Sequence, residues 1–330
     1  MQQIETFEGF ADAVDKARGR INPIFCNSPL LVETELDDYF DCRFSIKVET
    51  LNPIRCFKGR GTDLLVQSRP GSDAMVCASA GNFGQGLAYA ARRRDCSLTV
   101  LAAAGASALK IAAMRRLGAE VVVGGADLDD AKGRARAFAD QSGYVFIEDG
   151  AEPELAIGAG TIAAELIEHG HRFDAILLPV GNGALAHGVG AYLRAQSIST
   201  KIVCVTASGA PAMARSIRTR SLVPARAADT IADGIAVREP VAFATRNVIA
   251  LEPDVVEVSD HEILTAVELL LKTTSLMVEP AGAVGLAAII ADPDRWRGQR
   301  VQLVLCGGNV DPAEVFSTAA MPDAPRCLSH

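Results

Sequence analysis

No stretch of this 330-residue chain reaches the roughly 18 uninterrupted apolar residues that a membrane-spanning helix needs, so no membrane partner is expected. Positive charge is also short. The 32 Lys and Arg are outnumbered by 40 Asp and Glu, and the net charge of −8 argues against nucleic acid and anionic surfaces. No cysteine pair has CxxC spacing. The eight thiols are scattered and read as reduced, mostly core residues of a cytoplasmic protein. The five histidines show no metal spacing. His169 and His171 bracket a glycine at an expected helix end, where a solvated turn is the simpler account. The start, Met1-Gln2-Gln3-Ile4-Glu5-Thr6, lacks a basic stretch leading into an apolar run, so no secretion signal is expected. Neither an internal repeat nor a Pro/Gly-rich linker marks a boundary. The length suits two lobes, and these are expected to interweave. Residues 1–70 with 150–330 would form a large cofactor-binding domain, and 71–149 a small substrate-loop domain.

What the chain does have is alanine, glycine and apolar strands. Hydrophobic residues make up 49% of it and aromatics only 5%, the balance of an α/β enzyme. Strand-like runs at Ala74–Ala78, Ser97–Ala102, Val121–Val123, Ala175–Val180, Lys201–Val205 and Val301–Leu305 alternate with helical segments. Helices are expected at Gly84–Arg94, Ser107–Leu117, Asp127–Gln141, from about Leu185, and after Ser259, whose hydroxyl can cap the turn carrying Glu262. Continuous apolar strands alternating with helices predict an α/β fold of two-lobed, open parallel sheets with helices on both faces.

Four strings in this pattern carry chemistry. In Cys56-Phe57-Lys58-Gly59-Arg60-Gly61 a lysine follows an alternating strand-like run, Ile46–Leu51, and precedes an expected helix. A desolvated lysine has a lowered pKa, so its neutral amine can attack a carbonyl and form a Schiff base. Ser79-Ala80-Gly81-Asn82-Phe83-Gly84-Gln85-Gly86 follows one strand and opens a helix. Its small residues let backbone N–H groups approach a carboxylate, which the helix N-terminus favours. Gly181-Asn182-Gly183-Ala184-Leu185 follows another strand and opens another helix, so its N–H groups can nest a phosphate. It also fits a relaxed dinucleotide fingerprint, but Thr206 stands where a ribose-binding acid belongs, so the loop reads as built for one phosphate. In Cys306-Gly307-Gly308-Asn309 a thiol ends a strand beside glycines.

Together these strings resemble the fold-type II pyridoxal-phosphate enzymes, in particular the serine/threonine dehydratase group. Cys56 to Gly61 is similar to that group's S-F-K-x-R-G, and Ser79 to Gly86 to its S-x-G-N-H-x-Q-G, with Phe83 in place of the histidine. Pro179 to Leu185 resembles its phosphate loop with two glycines replaced. Shorter matches are Ala159–Glu165, Ile231–Val237 with Gly234, Glu279–Ala283, and Leu305–Asn309, where Cys306 replaces the usual serine. The resemblance implies pyridoxal 5'-phosphate as cofactor and Lys58 as its covalent anchor. It implies that Asn82 bonds the ring hydroxyl oxygen, that the backbone of Gly181, Asn182, Gly183, Ala184 and Leu185 holds the phosphate, and that Cys306 faces the pyridine nitrogen. Phe57 and Glu279 complete the cofactor set. Ser79, Ala80, Gly81, Asn82, Phe83 and Gly234 form the expected substrate set.

The implied reaction is dehydration of a β-hydroxy-L-amino acid to a 2-keto acid and ammonia by β-elimination. The related racemases use a second serine as the opposite-face base, where this chain has Ala80, so dehydration is favoured over racemisation. Metal-binding members carry acids at the positions of Thr206 and Ala212, so no metal site is expected. Residues 310–330 leave little room for a regulatory domain. Phe83 would make the pocket more apolar, suiting a bulkier substrate such as 3-phenylserine. The resemblance also implies a homodimer. Two alternatives stay open: a β-replacement synthase of the cysteine-synthase kind, and a catalytically inactive binding protein on the same fold.

Overall fold

The computed structural model describes residues 6–313, with the exception of Glu33 and Ser72. Ten strands build two sheets: β1 (Leu30–Val32), β2 (Arg43–Val48), β3 (Met75–Ala78), β4 (Leu98–Ala102), β5 (Glu120–Val123), β6 (Val145–Ile147), β7 (Ala175–Pro179), β8 (Lys201–Ala207), β9 (Asp254–Val258) and β10 (Arg300–Leu305). The larger sheet runs β1-β2-β10-β7-β8-β9 and the smaller β5-β4-β3-β6. Every pairing is parallel except that of β1 with β2. The expected α/β class with parallel sheets is therefore what the chain forms.

Burial explains the arrangement. All five residues of β7, and all of β8 and β10 beyond their first, are buried. Such strands need helices on both faces. Helix Pro280–Ala291 packs against β7, β8, β9 and β10, while helix Ala184–Ala195 contacts β7 and packs on helix Pro153–Glu168. Around the smaller sheet, helix Leu128–Ser142 contacts β3, β4 and β6, and helix Asn82–Arg92 packs against β4. The expected capping box forms: the Ser259 hydroxyl accepts from the Glu262 backbone, and the Glu262 carboxylate accepts from the Ser259 backbone.

Three helices meet backbone to backbone beneath the cleft. A Cβ on Gly61 would lie 2.6 Å from the Leu155 Cα, one on Gly158 2.4 Å from the Gly61 Cα, and one on Gly188 2.1 Å from the Ala156 oxygen. Only glycine permits these crossings. They fix helices Lys58–Ser68, Pro153–Glu168 and Ala184–Ala195 against each other.

Candidate active site

Ligands in open parallel sheets bind beyond the carboxyl ends of strands. β3 ends at Ala78 and opens into helix Asn82–Arg92; β7 ends at Pro179 and opens into helix Ala184–Ala195. β10 leads into Cys306-Gly307, and Gly307 bridges back to Cys56. These loops converge on one cavity of about 920 Å³ with its open mouth included. Every residue of the expected cofactor set lines it: Phe57, Lys58, Asn82, the loop Gly181–Leu185, Glu279 and Cys306. So does the expected substrate set of Ser79–Phe83 and Gly234.

Lys58 is the first residue of its helix, and its amine lies 2.6 and 2.8 Å from the two carboxylate oxygens of Asp149. The string around Lys58 suggests an amine held out of solvent; the fold also gives it an ion pair. The ammonium also lies 5.3 Å from the Phe57 ring centre and 5.7 Å from that of Phe83, two cation–π contacts. Asp149 follows β6, a strand that the sequence pattern did not disclose. A turn of Glu148-Asp149-Gly150 at the carboxyl end of that strand was the signal available.

Asn82 has both ends of its amide assigned. Its nitrogen donates to Glu279 at 2.6 Å, and its oxygen accepts from the Asn309 amide at 2.9 Å. The second amide hydrogen of Asn82 stays available. Glu279 is buried, which pushes its carboxyl pKa up, and the nearby Lys110 opposes that shift. Lys110, also buried, lies 2.6 Å from Asp233 and 3.8 Å from Glu279, with its stem over Gly81. Lys110, Asp149 and Asp233 were not singled out from sequence, since their juxtaposition is purely tertiary. The Ser79 hydroxyl accepts from the backbone of Gly81 (3.1 Å) and of Gly84 (2.9 Å), which shapes the loop before Asn82. Burial raises the Cys306 pKa, so its thiol stays neutral.

The cavity fits a phosphorylated aldehyde with a pyridine ring. Gly183 takes a left-handed backbone (φ +96°) to start helix Ala184–Ala195, whose first N–H groups have no intrahelical acceptor. The Asn182 side-chain oxygen and one Glu279 oxygen are buried without a hydrogen-bond partner. An anion-binding helix start, the Lys58 amine and a neutral thiol thus share a single space. The family model for pyridoxal-phosphate dependent enzymes matches residues 21–307. The chain belongs to this family. Among pyridoxal-phosphate enzymes it is 30% identical to an L-threonine ammonia-lyase of Thermotoga maritima over 301 residues, covering 90% of this chain and 75% of that one. It is also 30% identical to an L-threo-3-hydroxyaspartate ammonia-lyase of a Pseudomonas species over 315 residues, covering 94% and 97%. The solved structure of the processed form of threonine deaminase isoform 2 from Solanum lycopersicum superposes with a TM-score of 0.85 at 27% identity, covering 96% of each chain. The cofactor of this pyridoxal-phosphate enzyme is pyridoxal 5'-phosphate, its substrate is an amino acid, and its chemistry is that of the hydroxy amino acid lyases. No helix among the described residues is long and apolar enough to cross a membrane, and no metal-binding cluster of His, Cys, Asp and Glu occurs among them.

Proposed function

We propose that the protein converts a β-hydroxy-L-amino acid of the serine/threonine type, with room for a bulkier 3-phenylserine, to a 2-keto acid and ammonia. The observation that carries this is the single cavity shared by Lys58, the Asn82 loop and the Gly181–Leu185 loop. The relatives acting on L-threonine and L-threo-3-hydroxyaspartate support the substrate class.

Each residue has a task. Lys58 anchors the cofactor aldehyde, and Gly181 to Leu185 hold its phosphate with backbone N–H groups. Asn82 donates its remaining hydrogen to the ring hydroxyl oxygen, its orientation set by Glu279 and Asn309. Cys306 presents a neutral atom to the ring nitrogen, and Phe57 lines the same wall. When bound, the cofactor supplies an electron sink that makes the substrate Cα proton acidic. Ser79, Ala80, Gly81 and Asn82 receive the substrate carboxylate, with Gly234 across the cleft. Lys58 would take the substrate Cα proton at its amine nitrogen. Ala80 has no group that could act as a second base. Phe83 offers its ring to the β-substituent, where an aromatic pair adds about 0.5–1.5 kcal/mol.

The lobes are proposed as 1–70 with 150–330 and 71–149, since strands of the smaller sheet lie between Met75 and Ile147. The exposed Ile24 and Leu51, lining one hollow with Leu276 and Met277, support a homodimer. Seven free cysteines among the described residues support a reducing, cytoplasmic setting.

The test is release of keto acid and ammonia, with no added nucleophile, from L-serine, L-threonine, 3-hydroxyaspartate and 3-phenylserine. Lys58→Ala is expected to abolish both turnover and the visible absorbance of bound cofactor. Wild-type protein that shows no such band when cofactor is supplied would end the lyase reading. The aryl substrate is expected to show the higher kcat/KM; L-threonine matching it would remove the role given to Phe83.

A further inference from the structure

Resting on the lyase reading above, we propose that Asp149 is a catalytic residue: it takes the proton that Lys58 collects and delivers it to the departing β-hydroxyl. Both Asp149 oxygens contact the reacting nitrogen, at 2.6 and 2.8 Å. The pair is largely withdrawn from water, with side-chain exposures of 14% and 17%. Asp149 is held from its other side as well. The Asn182 amide donates to its Oδ2 at 3.3 Å, which ties the carboxylate to the phosphate-binding turn. Gly150 makes this approach possible, since a Cβ there would lie 2.9 Å from that of Asn182. The other acids of the cavity are engaged elsewhere: Asp233 with Lys110, and Glu279 with Asn82 and Lys110. Asp149 therefore stands between the base and the turn that grips the anion, with a direct line to one and a tether to the other.

The chemistry needs such a group. Hydroxide leaves poorly unless it is protonated as the Cβ–O bond breaks. The steps balance without a further reactant. Lys58 forms an N–H bond as the Cα–H bond breaks, leaving the electron pair on carbon. The resulting ammonium passes one proton to Asp149. The protonated carboxyl gives it to the β-oxygen while the Cβ–O bond breaks with its electron pair, and the pair on Cα closes the Cα=Cβ bond. Water departs, and the amine and carboxylate are restored.

The experiment compares L-serine with 3-chloro-L-alanine, whose chloride needs no proton to leave. In Asp149→Asn, kcat for L-serine is expected to fall by ~10²–10⁴-fold, the range of one acid–base group, and that for 3-chloroalanine by less than ~10-fold. In D2O the variant should exchange the Cα hydrogen of unreacted L-serine faster than it forms keto acid, as read by NMR. Retention of the visible cofactor band shows that the site is intact. Asp149→Glu, which keeps a carboxylate, should recover part of the serine activity. An equal fall for both substrates, or no fall for either, overturns the proposal. Wild-type protein that makes no keto acid from these two substrates or from L-threonine, 3-hydroxyaspartate and 3-phenylserine sinks the lyase reading instead, whatever the variant does.

Discussion

Two clusters of charge lie close together in the chain and behave in opposite ways. The first surrounds Arg60. Its guanidinium donates to Glu49 at 2.8 and 2.9 Å and to Glu165 at 2.5 and 3.0 Å, and also to Thr161. Lys47 closes the group with a 2.6 Å pair to Glu165. These four side chains are buried, and their positive and negative charges cancel. The second cluster, around Lys58 two residues earlier, keeps a cavity on one side and leaves buried oxygens of Asn182 and Glu279 unpartnered. A buried network with its partners complete is architecture; one with unmet atoms facing a cavity is built for a guest.

Removing a partner from each cluster should separate them. Arg60→Met leaves Glu49 buried without its cation and Glu165 with Lys47 alone, and is expected to cost about 3–5 kcal/mol, read as a fall in the denaturant midpoint. A midpoint within experimental error of wild type would show that the cluster is not closed. The next effect lies at His187, in the first turn after the phosphate loop. Its ring packs against Phe10 and Phe243 with centres 4.8 and 5.8 Å away. Burial lowers its pKa from 6.5 to about 4. The unfolded chain takes up this proton as the pH drops below about 6.5, whereas the folded one resists until about 4. The stability is therefore fully present above pH 6.5, lost as pH falls through that window, and worth about 3 kcal/mol. His187→Phe should flatten that part of the stability–pH curve; an unchanged slope would argue against a neutral, buried ring. The smallest effect is expected in the cavity. Asp149→Asn, for all its consequence for turnover, should shift stability by at most about 1 kcal/mol, since the pair, though mostly sheltered, borders an open cavity instead of lying in the closed core. A loss comparable to that of Arg60→Met would erase the distinction between the clusters.

Acid should also leave its mark on the closed cluster. Arg60 and Lys47 overcome the effect of burial and hold the Glu165 pKa down to about 2 from 4.5. That contribution is complete above pH 4.5 and disappears as the pH falls through about 2.

How much of this was legible in sequence depends on the kind of signal. The glycine loops and the lysine string were readable because chemistry and backbone demands coincide there in a few adjacent residues. The long apolar runs of β7, β8 and β10 were readable because full burial leaves no polar residues. β1 and β6 were missed, being three residues each, too short for a pattern. Helices Pro153–Glu168 and Pro280–Ala291 carry buried residues around most of their circumference, so neither shows the one-sided periodicity that betrays a surface helix. Asp149 fell with β6, because a strand end that is not seen cannot direct attention to its turn. Lys110 sits on helix Ala108–Arg116 with its partners Asp233 and Glu279 over a hundred residues away. Only the fold unites them.

The glycine crossings beneath the cleft divide the molecule for anyone wishing to change what it accepts. Side chains such as Phe83 can be varied in a directed-evolution library without touching backbone packing. Gly61, Gly158 and Gly188 admit no such freedom, because any larger residue would push two helices apart and carry the anchoring lysine with them. New substrates should therefore be sought by randomising the walls, with the floor left alone.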